Sequence, residues 1–203
     1  MSRSRMSTRR RLHRLATKTR VRVAAVAGPI AGFWALELLD TVILGGRLDQ
    51  FGVQPRSVAG LWGIPLSPAL HGGFGHLVAN TVPWLVLGFL TTARSAHDYW
   101  RVVVVSAATG GLGAWILGAP GTVHIGASGV VFGFLGFLMG RGYWERRWSA
   151  IALSLAVTLG FGSMLWGMVP VLAGVSTSWQ AHLFGWLGGL WMARASAARG
   201  RDK

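Results

Sequence analysis

Six long apolar segments constrain the fold of this chain more than any other feature. They cover residues 23–45, 76–93, 99–118, 124–140, 148–173 and 179–194. Each approaches the ~20 residues that an α-helix needs to cross a bilayer. Hydrophobic residues make up 52% of the chain and charged residues only 13%, about half the charge of an average soluble domain. We therefore predict an all-α, polytopic membrane protein whose single domain, residues 23–194, is a six-helix bundle.

Basic residues are concentrated on one side of this predicted bundle. The N-terminal residues 1–22, the loops 94–101 and 141–148 and the C-terminal residues 193–203 hold 18 of the 20 Lys and Arg residues. The alternate loops hold only Arg47 and Arg56. Cytoplasmic loops of membrane proteins carry such an excess of Lys and Arg. The pattern predicts a multi-pass protein of a bacterial cytoplasmic membrane, with basic tails 1–22 and 195–203 both in the cytoplasm.

The basic N-terminal tail carries nine Lys and Arg residues within residues 1–22. Such a tail can bind nucleic acid or anionic lipid, or be the first part of a signal peptide. We expect membrane lipid headgroups and not nucleic acid, because an apolar segment follows at once. A cleaved signal peptide is not expected, because that segment is longer than a signal peptide's apolar region. With no cysteine in the chain, no disulfide or thiolate site is possible.

Four polar residues lie near the predicted outer ends of the second, fourth and sixth segments: His76, Asn80, Ser128 and His182. These three segments all start on the outer side, so their first turns share one depth. The spacing of His76 and Asn80 puts both on one helix face. Polar groups within a membrane usually face a bundle interior or a watery cavity. The pattern therefore predicts one polar site just below the outer surface.

Glycines at four-residue spacing predict which helices meet at this site. The fourth segment has Gly129 with Gly133, and the sixth has Gly185 with Gly189. Small residues at this spacing allow helix backbones to approach closely in membranes. We expect the fourth and sixth helices to pack together and to bring Ser128 within hydrogen-bond distance of His182. Gly126 would allow a tightly turned backbone beside the serine.

The four polar residues are suited to acyl transfer. A serine needs a base to take its proton, and His182 is the candidate base. No carboxylate lies at this depth on the three helices, so a Ser-His dyad is more probable than a triad. Asn80, His76 and the backbone N–H of Ser128 could donate to an oxyanion. Val130 stands where a soluble-hydrolase Gly-x-Ser-x-Gly elbow has its last glycine, and the histidines lack a zinc-protease spacing.

Three motifs resemble those of the rhomboid family of intramembrane serine proteases. They are "HGGFGHLVAN" (71–80), "GASGVVFGFLG" (126–136) and "AHLFGWLGG" (181–189). The resemblance implies Ser128 as nucleophile, His182 as general base, and His76 with Asn80 as oxyanion donors. It also implies supporting motif positions at Gly126, Gly129 and Gly185. No metal or cofactor is implied, and the substrates would be transmembrane proteins cut near the outer face.

Two other functions are compatible with a polytopic bundle. A catalytically silent rhomboid-like protein would bind or escort membrane helices, but such proteins typically lack the serine or the histidine, and both are present here. A small transporter or channel needs polar groups along its whole pathway. The polar groups of this chain instead stop near the outer face, so we favour the protease. The oligomeric state has no signal in the sequence.

Overall fold

The protein is described by a computed structural model, which covers residues 3–174 and 177–201. Apart from one isolated bridge between Val53 and His124, these residues contain no β-structure. Their α-helices are α1 (Arg3–Leu39), α2 (Gly63–Leu66), α3 (Phe74–Thr92), α4 (Ala96–Leu117), α5 (Ser128–Glu145), α6 (Trp148–Phe161) and α7 (Trp179–Arg201). A π-helical turn, Asp40–Leu44, continues α1, and 3-10 turns cover Arg47–Phe51, Ala59–Trp62, Ser67–Ala69 and Gly162–Met168. The predicted all-α class is confirmed.

Among the described residues, four helical stretches are long and apolar enough to cross a membrane. They are Leu15–Leu44, Phe74–Thr92, Ala96–Leu117 and Trp148–Met168. They correspond to the first, second, third and fifth apolar segments of the sequence. The protein is therefore an integral membrane protein by the length and composition of its helices. The count of six spans and the cytoplasmic position of both termini stay predictions.

Several helix boundaries differ from the sequence prediction, including the ends of α5 at Glu145 and of α7 at Arg201. The first helix begins at Arg3 and not at residue 23, so residues 3–22 are continuous with it. The fourth begins at Ser128 and not at residue 124, because Gly126 has a φ of 113° that no α-helix contains. The fifth ends at Phe161, where a 3-10 turn takes over, and not at residue 173.

Helix α5 forms the centre of the molecule. Phe134, Leu135, Phe137 and Leu138 are all completely buried, and they belong to one continuous hydrophobic core. A helix that is apolar on every side is expected in such a central position. The surrounding helices instead expose large apolar side chains, and Leu159 of α6 is 87% exposed. In a membrane protein these outer faces are the ones that contact lipid.

Glycines set the distance between α5 and α7. A Cβ atom at Gly185 would overlap the carbonyl oxygen of Gly129, and one at Gly189 would overlap that of Gly133. On α5, a Cβ at Gly136 would overlap the carbonyl oxygen of Trp186. The two backbones are therefore in direct contact over about three helical turns. Larger side chains would force the helices apart and separate the residues at their N-terminal ends.

A charged cluster joins the opposite ends of the helices. Arg94 pairs with Asp98 of α4 at 2.9 Å and with Glu145 of α5 at 2.5 Å, and it donates to the carbonyl oxygen of Ser196 in α7 at 2.6 Å. The hydroxyl of Ser196 donates to Asp98 at 3.1 Å. One arginine thus links three helices. Ser95 caps the start of α4 by accepting from the N–H of Asp98.

The connection between α1 and α3, residues 45–73, is fixed at several points. Asp40 accepts a hydrogen bond from the N–H of Leu48 at 2.9 Å, where the chain leaves the first helix. Val53 exchanges two backbone hydrogen bonds of 2.9 Å with His124, in the loop between α4 and α5. The N–H of Gly126 donates to the backbone carbonyl oxygen of Ser67 at 2.8 Å. The connection therefore holds the loop that leads directly to Ser128.

Candidate active site

Ser128 and His182 lie side by side where α5 and α7 begin. The Oγ of Ser128 is 2.8 Å from the Nε2 of His182. Ser128 is the first residue of α5, and His182 lies in the first turn of α7. The glycine contact between Gly129 and Gly185 is next to this pair along both helices. The close approach of the helices therefore sets the distance between the hydroxyl and the imidazole.

The contact of Nδ1 of His182 determines the direction of the hydrogen bond between Nε2 of His182 and Ser128. The Nδ1 of His182 is 3.0 Å from the carbonyl oxygen of Gly167, in the 3-10 turn after α6. A carbonyl oxygen can only accept, so Nδ1 carries the hydrogen of the neutral imidazole. The lone pair is then on Nε2 and faces the Ser128 hydroxyl. This is the arrangement in which a histidine can take a proton from serine.

Phe132 and Gly167 hold the imidazole in place, and the sequence assigned neither of them a role in positioning the catalytic pair. The rings of Phe132 and His182 stack with centroids 4.1 Å apart and planes 11° from parallel. A Cβ at Gly167 would lie 3.3 Å from Nδ1 of His182, so a larger residue would crowd the ring. A backbone carbonyl has no side-chain signature in a sequence. The glycine at position 167 is the one sequence feature that could have suggested this contact.

His76 and Asn80 lie one turn apart on α3, beside the loop that precedes Ser128. The amide of Asn80 donates one N–H to the carbonyl oxygen of His76 at 3.0 Å, which leaves its second N–H available. A Cβ at Gly126 would lie 2.6 Å from Nε2 of His76 and 3.8 Å from Nδ2 of Asn80. Gly126 therefore combines a positive φ with a close approach to the histidine, and both require glycine.

One cavity of about 670 Å³ joins the four predicted site residues. Ser128, His182, His76 and Asn80 all line it, together with apolar side chains that include Val131 and Met164. The shared depth predicted for these residues thus corresponds to a shared cavity. A cavity of this size with apolar walls and a few polar groups is typical of sites that bind an organic chain.

The connection beside the site carries two shifted titratable groups. His71 is 2% exposed, and its ring centroid lies 5.2 Å from that of His76. Burial, and then the proximity of His76, lower the pKa of His71, which favours the neutral ring. Burial, and then the charges of Asp40 and Glu37, raise the pKa of Asp49. Burial thus favours the uncharged form of both groups.

Comparison with known proteins agrees with the motifs. The family model described as Rhomboid domain matches residues 58–199. An uncharacterized protein of Mycobacterium tuberculosis is 40% identical over 167 residues, which cover 79% of this chain and 69% of that protein. A Mycobacterium leprae protein is 38% identical over 168 residues, which cover 79% and 66%. Rhomboid-like protease 5 of Toxoplasma gondii is 31% identical over 176 residues, which cover 78% and 18%.

Proposed function

The chain belongs to the rhomboid family, and we propose that it is a serine endopeptidase that cleaves transmembrane segments of other proteins. The observation that carries this proposal is the pair of hydrogen bonds that the His182 ring makes, one to the carbonyl oxygen of Gly167 and one to the hydroxyl of Ser128. It leaves the imidazole with a free lone pair on the serine side. The bacterial relatives support a bacterial cytoplasmic membrane as the location.

In the proposed acylation step, Nε2 of His182 takes the hydroxyl proton of Ser128 while Oγ attacks the scissile carbonyl carbon. The carbon–oxygen double bond becomes a single bond, and its electron pair moves to the oxygen. When the intermediate collapses, the peptide C–N bond breaks and His182 returns the proton to the leaving amine. Water then repeats the sequence on the acyl-enzyme, with the proton passing through His182 again and Ser128 restored.

The negative oxygen of the intermediate needs donors that are already in place. Three groups around the cavity are suited to this role. Asn80 has a free amide N–H, His76 has a ring N–H, and Ser128 has its own backbone N–H at the start of α5. The first N–H groups of a helix have no intrahelical acceptor, and the helix dipole favours negative charge there. We propose that these three donors form the oxyanion hole.

The proposed substrate is a transmembrane segment cut near the outer face. With both termini cytoplasmic, the N-terminal ends of α3, α5 and α7 lie on that side, and the cavity is at that level. An intact substrate helix hides its carbonyl groups in internal hydrogen bonds. The substrate must therefore unwind before Ser128 can reach it, and small or helix-breaking residues near the scissile bond would make unwinding easier. We also propose that the basic tail, residues 1–22, attracts anionic lipid headgroups.

The test is cleavage of a fluorogenic transmembrane substrate by the purified protein in liposomes. Ser128→Ala and His182→Ala should each reduce the rate by about 10³-fold or more. The matched controls are Ser149→Ala and His97→Ala, since both side chains are exposed. The controls should cleave at the wild-type rate.

A fluorophosphonate probe gives an independent measurement, because it reacts only with an activated serine. Wild type should be labelled at Ser128, and the His182→Ala variant should not. Cleavage by Ser128→Ala at the wild-type rate would refute the mechanism. A wild-type protein that binds substrate helices but neither cleaves them nor reacts with the probe would favour the catalytically silent alternative.

A further inference from the structure

His124 has no role in the mechanism above, yet it lies at the active-site cavity. It precedes Ser128 by four residues and lines the same cavity. Its backbone N–H and carbonyl oxygen both pair with Val53, each at 2.9 Å. The backbone of His124 is therefore fixed, and its half-buried side chain points to a defined set of partners.

A chain of hydrogen bonds determines the tautomer of His124. The hydroxyl of Thr122 donates to the carbonyl oxygen of Ala119 at 2.7 Å, so its oxygen is the acceptor for Nε2 of His124 at 3.0 Å. Nε2 must therefore carry the hydrogen, and Nδ1 has the lone pair. Nδ1 is 2.8 Å from Ser178 Oγ, so the serine hydroxyl donates to it. Burial lowers the pKa of His124, which favours this neutral form.

Ser178 connects His124 to the first turn of α7. Its hydroxyl oxygen accepts from the N–H of Ala181 at 3.4 Å, and its carbonyl oxygen accepts from the N–H of His182 at 3.1 Å. The side chain of His124 thus fixes Ser178, whose carbonyl oxygen accepts the hydrogen bond from the backbone N–H of His182. On the other side, the backbone of His124 continues through Gly126 to Ser128.

We propose that His124 is a positioning residue, which holds the loop before Ser128 and the start of α7 in the register that places His182 Nε2 at Ser128 Oγ. The inference rests on the proposed protease function for its catalytic consequence. Its structural content is separate: the hydrogen bond between His124 and Ser178 holds the first turn of α7, and with it the backbone position from which the His182 ring reaches Ser128. The two residues that it joins are 54 positions apart in the chain, so no local sequence pattern reveals the contact.

The test compares two substitutions at position 124. His124→Phe keeps an aromatic ring but removes both nitrogens, whereas His124→Asn keeps an acceptor that can receive the Ser178 hydroxyl. His124→Phe should lower the rate constant for fluorophosphonate labelling of Ser128 by about 10-fold or more. His124→Asn should restore the rate to within about 3-fold of wild type. In substrate cleavage, kcat should fall for His124→Phe while KM stays unchanged.

Ser178→Ala provides the matched control at the other end of the hydrogen bond. It should reproduce the effect of His124→Phe, and the double variant should be no slower than either single variant, because both remove one interaction. Additive losses, or equal rates for His124→Phe and wild type, would overturn the inference.

Nuclear magnetic resonance of the ¹⁵N-histidine-labelled protein in micelles tests the inference without proteolysis. Wild type should show the Nε2–H tautomer for His124 and the Nδ1–H tautomer for His182, with signals assigned by single substitutions. His124→Phe should shift the His182 signals, and His124→Asn should not. Unchanged His182 signals in His124→Phe would refute the positioning role even if the wild-type protein had no protease activity. If the wild-type protein had no protease activity but the predicted signal changes occurred, only the proposed protease function would be refuted.

Discussion

Gly185→Ala provides a demanding test of how the helix contact sets the active site. The added Cβ would overlap the carbonyl oxygen of Gly129 and lie 2.8 Å from its carbonyl carbon and 3.2 Å from its Cα. Carbon atoms at optimal separation are about 3.5 Å apart or more. The overlap with the carbonyl oxygen is the most severe of these contacts, and relieving it requires the backbones to separate by roughly 1 Å at this crossing. Overpacking of this kind costs about 1–3 kcal/mol.

This separation acts directly on the catalytic pair, because Gly129 follows Ser128 and Gly185 lies one turn after His182. The distance between Ser128 Oγ and His182 Nε2 is 2.8 Å. An increase of the same size brings it to about 3.8 Å, where the hydrogen bond is lost. Displacements near 1 Å can reduce catalysis by about 10²-fold. We expect a loss of that order in the labelling rate of Ser128.

A graded series of glycine substitutions makes the prediction specific. Gly129→Ala places its Cβ 3.3 Å from the carbonyl oxygen of Ala181, so a small adjustment accommodates it and the expected loss is below about 10-fold. Gly32→Ala on α1 meets no atom within 4 Å and is the matched control. The assays are labelling kinetics and thermal unfolding in the same detergent. If Ser128 of the Gly185→Ala variant were labelled at the wild-type rate, the backbone contact would not be what positions Ser128 and His182.

Two further predictions concern stability. Arg94→Ala removes the partner of two carboxylates on different helices, and we expect the free energy of unfolding to fall by about 1–3 kcal/mol in a denaturation assay. The control Arg47→Ala, at an exposed position, should change the free energy of unfolding by less than about 0.5 kcal/mol in the same assay. Because the pKa of Asp49 is raised in the folded protein, its contribution to stability is greatest at low pH and is lost as the pH rises from about 4 to about 7. Asp49→Asn should remove that loss and stabilise the protein by about 0.5–1 kcal/mol at pH 7, which unfolding measured across this pH range will detect. Equal pH dependence of the variant and wild type would contradict the assignment to Asp49.

The helical class, and the grouping of the four polar residues at one end of the bundle, could be predicted from the sequence because both follow from helical periodicity. The spacing of His76 and Asn80 and their distance from a helix start follow from helix geometry alone. Gly185 likewise revealed a helix contact, since small residues at helical spacing have few other uses in a membrane. These features are local or repeat along one element.

The remaining features depend on atoms that sequence patterns do not represent. Gly167 contributes a backbone carbonyl, and His124 contributes an interaction with a residue in a distant loop. The start of α5 at Ser128 depends on the positive φ of Gly126. A tight turn at this glycine was expected, but the predicted helix was nevertheless started at residue 124. The helical continuity of residues 3–22 with α1 was missed because a run of basic residues was interpreted as a separate tail.

The carbonyl of Gly167 links catalytic competence to the position of a segment that lies outside the two catalytic helices. The acceptor for His182 belongs to the segment Gly162–Met168, which follows α6 and is not part of the α5–α7 contact. If this segment moved outward to admit a substrate, Nδ1–H would lose its partner and the imidazole could rotate or change tautomer. The general base is thus complete only while the segment lies against α7. An opened site would admit a helix but would hydrolyse it only after reclosing, so opening and chemistry would take place in alternation.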